Sequence, residues 1–328
     1  MKVALLYNAR KATLPGLPDD AFEEYDSDAT VSNVAASLRA IKVDVEPVEA
    51  DARLPWRLAE GAFEFAFNIA EGQGRRCREA VPAAICELLD LPFTGSDALT
   101  LGMTLDKFIA KRVVSPEVVV ARGVLVESCA DEPGISALSY PVIVKPNDEG
   151  SSKGIRQNPM ATNASAALER VRWLRERYGC PVLVEEFLMG PEVTIGVVGN
   201  RPNARVLGMM EIAPASGAEN FIYSLEAKRD YLNQVRYFIP PRLKADTIEL
   251  LSQLALTAYN LLGCRDIARV DFRLDARGIP HFIECNPLPG LNPETGDIMV
   301  LSRGILPYER LVQGILLDAM ARNGINLT

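Results

Sequence analysis

The order of apolar and polar residues predicts alternating strands and helices over roughly the first hundred residues. An apolar run at 3–7 is typical of a buried strand, and the next segment has apolar residues at helical spacing behind a capping side chain, Ser27 or Asp28. This alternation favours a mostly parallel sheet with helices on both faces. The predicted elements are strands at 3–7, 43–48 and 63–69 and helices at 27–41 and 79–90.

Beyond about residue 100 the pattern changes to that of two α+β units. The first contains a helix that carries Lys107, and the second contains a long polar segment at 213–236. Long loops without secondary structure are uncommon in compact domains and are often active-site lids, so this segment is expected to be a lid. The expected domains are residues 1–98, 99–188 and 189–328. The remaining predicted strands lie at 118–126, 141–146, 182–186, 192–198, 204–212, 267–274 and 280–285, and the remaining helices at 163–178, 243–262 and 307–322.

Composition and charge narrow the function classes. The chain of 328 residues is 48% hydrophobic and 24% charged, which is ordinary for a globular enzyme of two or three domains. A net charge of −8 argues against nonspecific binding of nucleic acid or of an anionic membrane. The six cysteines form no CxxC pair, and no apolar run approaches the roughly 20 residues of a membrane span. A cytoplasmic protein with small-molecule partners is expected.

A predicted hairpin near the C-terminus places oxygen-bearing side chains together. The strands ARVDFRLD, residues 268–275, and PHFIECN, residues 280–286, are joined by a short turn, so Asp271 can lie beside Glu284 and Asn286. Alternation along a strand puts Glu284 and Asn286 on one face. Two carboxylates and an amide suit Mg²⁺, which also binds substrate phosphates. The alternative is that the carboxylates are surface charges of the hairpin, but their apolar neighbours argue against it.

Two further segments have features of a nucleotide site. VIVKPNDEGSSKGI, residues 142–155, continues from Lys145 into a loop whose glycines and serines can bind polyphosphate, although no Walker pattern is present. VLVEEFLMGPEVTI, residues 182–195, ends a strand in Glu185 and Glu186, where a carboxylate and backbone groups can meet an adenine edge. Taken singly, the first segment could be only a turn and the second an exposed turn between domains.

In this order and spacing, the segments resemble the D-alanine:D-alanine ligases of the ATP-grasp superfamily. The resemblance also rests on LPFTGSDALTLGMTLDK, on EAK at 226–228 and on FIECNPLPGLNPETG, and it extends over roughly residues 60–320. It implies a three-domain α/β ATP-grasp fold, in which two α+β domains hold ATP between their sheets after an N-terminal parallel-sheet domain. It also implies a homodimer that uses ATP and two Mg²⁺ ions, with Mn²⁺ as an alternative.

The resemblance implies roles for individual residues. Those expected to bind the nucleotide are Lys107, Lys145, Ser151, Ser152, Glu185, Glu186, Leu188, Glu192 and the lid lysine Lys228. Those expected to bind metal are Asp271, Glu284 and Asn286. Those expected to act in catalysis are Arg269 and the backbone of Gly290 at the tetrahedral intermediate, together with Lys228 and Ser152. The implied reaction is attack of a substrate carboxylate on the γ-phosphate of ATP, followed by attack of an amine on the acyl phosphate.

The sequence departs from the family where the first amino acid binds. Thr30 stands where a glutamate usually holds the substrate ammonium, and Arg229 replaces the lid tyrosine. Because a carboxylate is lost and arginines are gained, the acyl donor is expected not to be simply D-alanine. The other replacements are Gln73 for a histidine and Arg78 and Glu79 for an acidic pair. The residues expected to contact substrate are Arg78, Arg229 and Thr295, with Arg75 and Arg76 as weaker candidates.

Three alternatives remain open. Authentic D-alanyl-D-alanine synthesis in cell-wall assembly is the nearest of them. A nucleotide-binding module without catalysis is disfavoured, because such a module would not need Arg269 at an acyl centre. A dehydrogenase is weaker still, because the first turn from strand to helix lacks GxGxxG.

Overall fold

Three β-sheets organise the part of the chain that the computed structural model describes, residues 1–13, 15–74, 76–156, 159–218 and 221–326. The first sheet is parallel, and the other two are antiparallel. Within these residues, no helix combines the length and the apolar character needed to span a lipid bilayer.

The N-terminal part alternates strands and helices as predicted. Its elements are β1 (Lys2–Tyr7), α1 (Asp28–Arg39), β2 (Asp44–Glu49), α2 (Leu54–Glu60), β3 (Phe65–Asn68), α3 (Ala80–Leu88) and α4 (Ala98–Leu105). Strand β1 lies between β2 and β3, and both neighbours run parallel to it. The Ser27 side chain caps α1 by accepting a hydrogen bond from the Thr30 amide at 3.2 Å.

The central part is an antiparallel sheet covered by one helix. Its elements are α5 (Lys107–Val114), β4 (Gly123–Val126), a 3₁₀ helix (Cys129–Ala137), β5 (Val142–Pro146), β6 (Met160–Ala161), α6 (Ala164–Tyr178) and β7 (Val182–Glu186), with strand order β4-β7-β5-β6. Val171 and Leu174 of α6 pack in one core with Val144 of β5. The strand expected at 118–126 is shorter, because its first residues run instead beside Phe282, whose amide donates to the Val119 carbonyl at 2.8 Å.

The C-terminal part is a five-stranded antiparallel sheet. Its elements are β8 (Glu192–Val198), β9 (Arg205–Pro214), α7 (Leu225–Arg229), α8 (Tyr231–Gln234), β10 (Val235–Phe238), α9 (Ala245–Leu261), β11 (Ile267–Leu274), β12 (Pro280–Asn286), α10 (Asp297–Ser302) and α11 (Tyr308–Arg322). The strand order is β10-β9-β8-β11-β12. The polar segment 213–236 is not structureless, because it contains α7, α8 and the start of β10.

Alternation along β8 determines where the functional site can form. Val193 and Ile195 are buried in the core that also contains Leu251 and Ala255 of α9. Successive side chains of a strand point to opposite faces, so Glu192 and Thr194 lie on the other face of the sheet. That face borders the space between the central and C-terminal sheets.

Candidate active site

A cavity between the central and C-terminal sheets contains most of the residues expected to bind ATP. Its space amounts to about 920 Å³, including the part open to solvent, which suits a small-molecule ligand. The predicted site residues that line it are Lys107, Lys145, Ser151, Ser152, Glu185, Glu186, Leu188, Glu192, Lys228, Arg269, Asp271 and Glu284. Those that are not among the described lining residues are Arg78, Arg229, Asn286, Gly290 and Thr295.

Strands β11 and β12 bring the two predicted carboxylate ligands together. In their register, Asp271 lies opposite Glu284 and Arg269 lies opposite Asn286. The Arg269 guanidinium approaches Asp271 at 2.9 Å, Asp297 at 3.1 Å and Glu284 at 3.5 Å. Three carboxylates therefore share one buried arginine, and the Glu284 carboxylate also lies 3.4 Å from the Lys107 ammonium.

Asp271 and Glu284 have opposite pKa shifts. Burial raises the pKa of Asp271 to about 6, although Arg269 opposes this effect. Burial acts on Glu284 as well, but Lys107, Arg269 and Lys145 outweigh it and hold the pKa of this carboxyl at about 2. One buried and one partly buried carboxylate, beside lysines that are expected to bind phosphate, are the kind of oxygen donors that Mg²⁺ prefers. The residues present therefore fit this ion.

Asn286, the third member of the predicted metal set, is bound to the backbone of its own loop. Its Oδ1 accepts a hydrogen bond from the Leu288 amide at 2.8 Å. Among the described residues, no group of three or more His, Cys, Asp and Glu side chains is arranged to hold a metal ion. Asp271 and Glu284 line the cavity, whereas Asn286 is not among the described lining residues, although the second lone pair of its Oδ1 would still be available to an ion.

The loop that follows β12 folds back on itself. The Asn292 side chain accepts hydrogen bonds from the amides of Glu294 and Thr295, each at 3.0 Å. A Cβ atom at Gly296 would lie 2.3 Å from the carbonyl oxygen of Gly290, so only glycine permits this close approach. The backbones at 290 and 296 are therefore held against each other.

Glu185 lies between two buried lysines. Lys111 approaches one of its carboxylate oxygens at 2.7 Å and Lys145 approaches the other at 2.9 Å. Burial would raise the pKa of Glu185, but the two lysines outweigh it and hold this pKa below its ordinary value. Burial lowers the pKa of Lys111 to about 8 against the attraction of Glu185. This triad fixes Lys145 at the wall of the cavity.

The predicted phosphate-covering loop contacts the lid. Ser151 and Ser152 have φ angles of 48° and 58°, in the left-handed region that residues with side chains rarely adopt. The Ser152 hydroxyl donates to the Tyr223 carbonyl at 2.9 Å, and the Lys228 ammonium donates to the Ser151 hydroxyl at 3.4 Å. The loop and the lid therefore close over the same part of the cavity.

Arg273 connects residues expected at the nucleoside end of the site. Its guanidinium approaches Glu192 at 3.1 Å and donates to the carbonyl oxygens of Leu188 and Phe221, each at 2.7 Å. Burial raises the pKa of Glu192, and Arg273 opposes this effect. Glu186 has a different partner, because its carboxylate accepts a hydrogen bond from the Ser139 amide at 2.8 Å.

Comparisons with known proteins cover most of the chain. A family model described as D-ala D-ala ligase C-terminus matches residues 120–317. A D-alanine:D-alanine ligase of Geobacter sulfurreducens is 31% identical over 309 residues, which are 90% of this chain and 90% of that protein. The chain belongs to the D-alanine:D-alanine ligase family. It is therefore an ATP-dependent ligase of the class that forms carbon–nitrogen bonds.

Solved structures of D-alanine:D-alanine ligases share the fold. The Bacillus anthracis enzyme complexed with ATP is 20% identical and has a TM-score of 0.74, over 99% of this chain and 98% of that one. The VanG D-Ala:D-Ser ligase from Enterococcus faecalis is also 20% identical and has a TM-score of 0.73, over 97% of this chain and 99% of that one. These likenesses confirm the predicted α/β ATP-grasp fold.

In this member of the D-alanine:D-alanine ligase family, Arg78 is buried against carboxylates of its own chain. Its guanidinium approaches Glu24 at 2.9 Å and Glu149 at 3.4 Å, and it donates to the Asp148 carbonyl at 2.7 Å. Burial would lower the pKa of Arg78, but the surrounding carboxylates raise it above its ordinary value. A role of Arg78 in substrate binding stays a prediction, and it would require an exchange of these partners.

Arg229 is also paired within the chain. It approaches Glu23 at 2.7 Å and Asp19 at 3.0 Å, and is thus held away from the cavity lining. Arg76 pairs with Asp106 at 2.9 Å. Arg75 lies outside the described residues. The predicted recognition of a substrate anion by these arginines remains untested.

Residues 15–26, here called the acidic segment, hold the phosphate loop as well as the lid. The Glu24 carboxylate accepts a hydrogen bond from the Gly150 amide at 2.7 Å, and the Asp20 carboxylate accepts one from the Gly154 amide at 3.1 Å. The sequence analysis did not predict that this segment contacts the loop. Its partners lie more than a hundred residues away, so no local pattern could have indicated the contact.

The sequence analysis did not predict roles for Lys111, Arg273 and Asp297. Two of them, Lys111 and Arg273, could have been found from their spacing along the chain. Lys111 lies four residues after Lys107 on α5, and Arg273 lies two residues after Asp271 on β11. Both spacings place the pair on one face of its element. Asp297 follows a loop at the start of α10, where neither periodicity applies.

Proposed function

We propose that this family member joins a carboxylate to an amine through an acyl phosphate, and that its acyl donor is not simply D-alanine. The observation that supports this most is the position of Arg269. It lies in one cavity with Lys145 and Lys228 and contacts Asp271. An arginine here can stabilise an oxyanion at an acyl centre, whereas a module that only bound ATP would not need it.

The cations of the cavity account for both steps of the reaction. Lys145 and Lys228 neutralise the phosphates of ATP, and the loop containing Ser151 and Ser152 covers them. The substrate carboxylate attacks the γ-phosphorus, and ADP leaves. The amine then attacks the carbonyl carbon of the acyl phosphate while Arg269 stabilises the developing oxyanion, and phosphate leaves with the electron pair of the broken bond. The protein contributes positioning and charge rather than covalent chemistry.

Asp271 and Glu284 are the residues that would hold Mg²⁺, and Asn286 would join them through the second lone pair of its Oδ1. The ion supplies charge neutralisation at the transferred phosphoryl group. Mn²⁺ prefers the same kind of oxygen ligands and is expected to substitute.

Altered donor specificity is supported by the residues on the first-substrate side. Thr30 accepts a hydrogen bond from the Asn292 side chain at 3.2 Å and has no charge with which to hold an ammonium group. The arginine that replaces the lid tyrosine, Arg229, is paired with the acidic segment. A first-substrate pocket that contains Thr30 in place of a glutamate, and from which the Arg229 side chain is held away, differs in charge and shape from one that contains a glutamate and a tyrosine.

D-alanyl-D-alanine synthesis is the second candidate function. It is favoured by the 31% identity to the Geobacter sulfurreducens enzyme over 90% of both chains. Under this alternative, the substrate ammonium would be held by a residue other than Thr30.

A donor panel distinguishes the two candidates. D- and L-amino acids and small acids without an ammonium group are supplied with ATP, Mg²⁺ and a set of amines, and ADP release is measured. The proposal predicts a donor with a higher kcat/KM than D-alanine. If D-alanine gave by far the best turnover, the second candidate would replace it, and if no acid stimulated ADP release, the ligase proposal itself would fail.

A further inference from the structure

Asp297 is a buried carboxylate of the cavity for which the proposed function has no role so far. Its side chain is 6% exposed, and one of its oxygens, Oδ2, accepts a hydrogen bond from Arg269 Nη1 at 3.1 Å. The other oxygen, Oδ1, is buried and accepts no hydrogen bond from any described residue. A buried carboxylate oxygen without a donor is costly, so its persistence indicates a partner that arrives with the substrates.

The neighbouring side chains do not supply that partner. One of the hydroxyl groups of Tyr223 and Tyr237 donates to the other at 2.7 Å, and neither makes a hydrogen bond to Asp297 Oδ1. Arg269 is already shared with Asp271 and Glu284. Asp297 therefore shares the charge of Arg269 with two other carboxylates. Its oxygen without a hydrogen bond, Oδ1, is suited to a second cation that carries N–H donors.

The arrangement around Arg269 separates Asp297 from the expected metal ligands. The guanidinium binds Asp297 through Nη1, and it binds Asp271 through Nε and Nη2. Because the guanidinium lies between the two carboxylates, an ion held by Asp271 and Glu284 would not need Asp297. Asp297 also lines the cavity, so an organic cation that enters the cavity can reach it.

We propose that Asp297 binds the ammonium group of the acceptor amine. This inference rests on the proposed ligase function, in which the acceptor nitrogen must come within bonding distance of the acyl carbon beside Arg269. The acceptor is the substrate whose nitrogen necessarily reaches this point, whereas a donor ammonium is separated from the acyl carbon by at least one further atom. The class of acceptor is thus an amine that is protonated at neutral pH, and its nitrogen loses one proton to solvent before it attacks the acyl carbon.

The substitution Asp297→Asn tests this role because it removes the charge and keeps the shape. The acyl donor is the acid with the highest turnover in the panel, and the acceptors compared are D-alanine, which carries an ammonium group, and hydroxylamine, which is uncharged at neutral pH. Loss of one charge-assisted hydrogen bond predicts a rise of about tenfold or more in the KM of D-alanine. The KM of ATP, the Mg²⁺ dependence and the rate of hydroxamate formation should stay within about twofold of wild type.

Hydroxylamine separates this role from an indirect one. If Asp297 acted only by orienting Arg269, hydroxamate formation would fall together with the D-alanine reaction, and the inference would be wrong. An unchanged KM for D-alanine, a raised KM for the donor or a changed Mg²⁺ dependence would overturn it as well. Failure of the wild-type protein to release ADP with any acid would instead contradict the proposed ligase function.

Two further variants keep the test decisive. Asp246→Asn removes an exposed carboxylate at the start of α9 and should leave all these values unchanged. ATP binding shows whether Asp297→Asn is folded. If Asp297→Asn is not folded, Asp297→Glu is measured instead. Its longer side chain retains the negative charge, so this variant should keep the preference for D-alanine over hydroxylamine.

Discussion

Asp271 lies directly opposite Glu284 across the β11–β12 pair, and both side chains border the cavity that Lys145 and Lys228 share. The register of an antiparallel hairpin thus places two carboxylates at one point beside a cluster of cations. This relationship links the fold to phosphoryl transfer, because it offers an oxygen site for a divalent ion next to the groups expected to bind polyphosphate.

The substitution Asp271→Asn should weaken the response to Mg²⁺. Removing one of the two carboxylates is expected to raise the Mg²⁺ concentration needed for half-maximal activity by at least about tenfold. Even substitutions of residues that only hydrogen-bond to a metal ligand lower metal affinity by about tenfold or more. Titration of ADP release with Mg²⁺ measures this. Asp275→Asn is the control, because Asp275 belongs to the same hairpin but is not among the described residues that line the cavity. An equal response of the two variants would contradict the metal assignment.

Arg269 and Arg273 should have separable kinetic roles, although they lie four residues apart on the same strand. Arg269→Lys is expected to lower kcat by about 10²–10³, because lysine cannot reproduce the planar fork at the developing oxyanion. Arg273→Lys is expected to raise the KM of ATP instead, because Arg273 holds Glu192 and the Leu188 carbonyl. Steady-state kinetics of both variants measure kcat and the KM of ATP. If Arg269→Lys raised only the KM of ATP, the role of Arg269 at the oxyanion would be contradicted.

Glu185 and Glu186 should contribute very differently to stability. Glu185→Gln leaves two buried lysines without their shared carboxylate and is expected to cost about 3–5 kcal/mol of unfolding free energy. Glu186→Gln affects a more exposed carboxylate whose partner is the Ser139 amide, and it should cost less than about 1 kcal/mol. Denaturant unfolding without nucleotide measures both. Similar costs would show that the lysine pair does not depend on Glu185.

The Glu24 carboxylate should make the free energy of unfolding depend on pH. Burial would raise its pKa, but Arg78 and Lys153 outweigh burial and hold it at about 2. Because the ordinary pKa is about 4.3, the ionised form is favoured in the folded state; this stabilisation is complete above the ordinary value and is lost as pH falls towards 2. Glu24→Gln should therefore be less stable than wild type at pH 7, by roughly 3 kcal/mol, and approach it near pH 2. Unfolding curves that stay parallel over this range would contradict the buried ion pair.

The β11–β12 hairpin and strands β5 and β7 could be predicted as elements because each is defined by local spacing. Asp271 and Glu284 lie in strands joined by a short turn, so local spacing places them near each other, but their direct alignment also depends on an irregularity of the β11–β12 pairing between Asp271 and Phe272. The acidic segment could not be predicted in this way, because Asp19 and Arg229 are 210 residues apart and only the packing of separate parts brings them together. The same holds for Asp297, whose contact with Arg269 depends on how the loop after β12 folds back.

Transfer of isotope from the acid to phosphate tests the central claim most directly. The acyl donor is labelled with ¹⁸O in both carboxylate oxygens, and the inorganic phosphate released during turnover is analysed by mass spectrometry. Attack of the carboxylate on the γ-phosphorus predicts one ¹⁸O atom in each phosphate, since the oxygen that forms the acyl phosphate leaves with phosphorus. Unlabelled phosphate released together with product would contradict an acyl phosphate and the ligase mechanism proposed here.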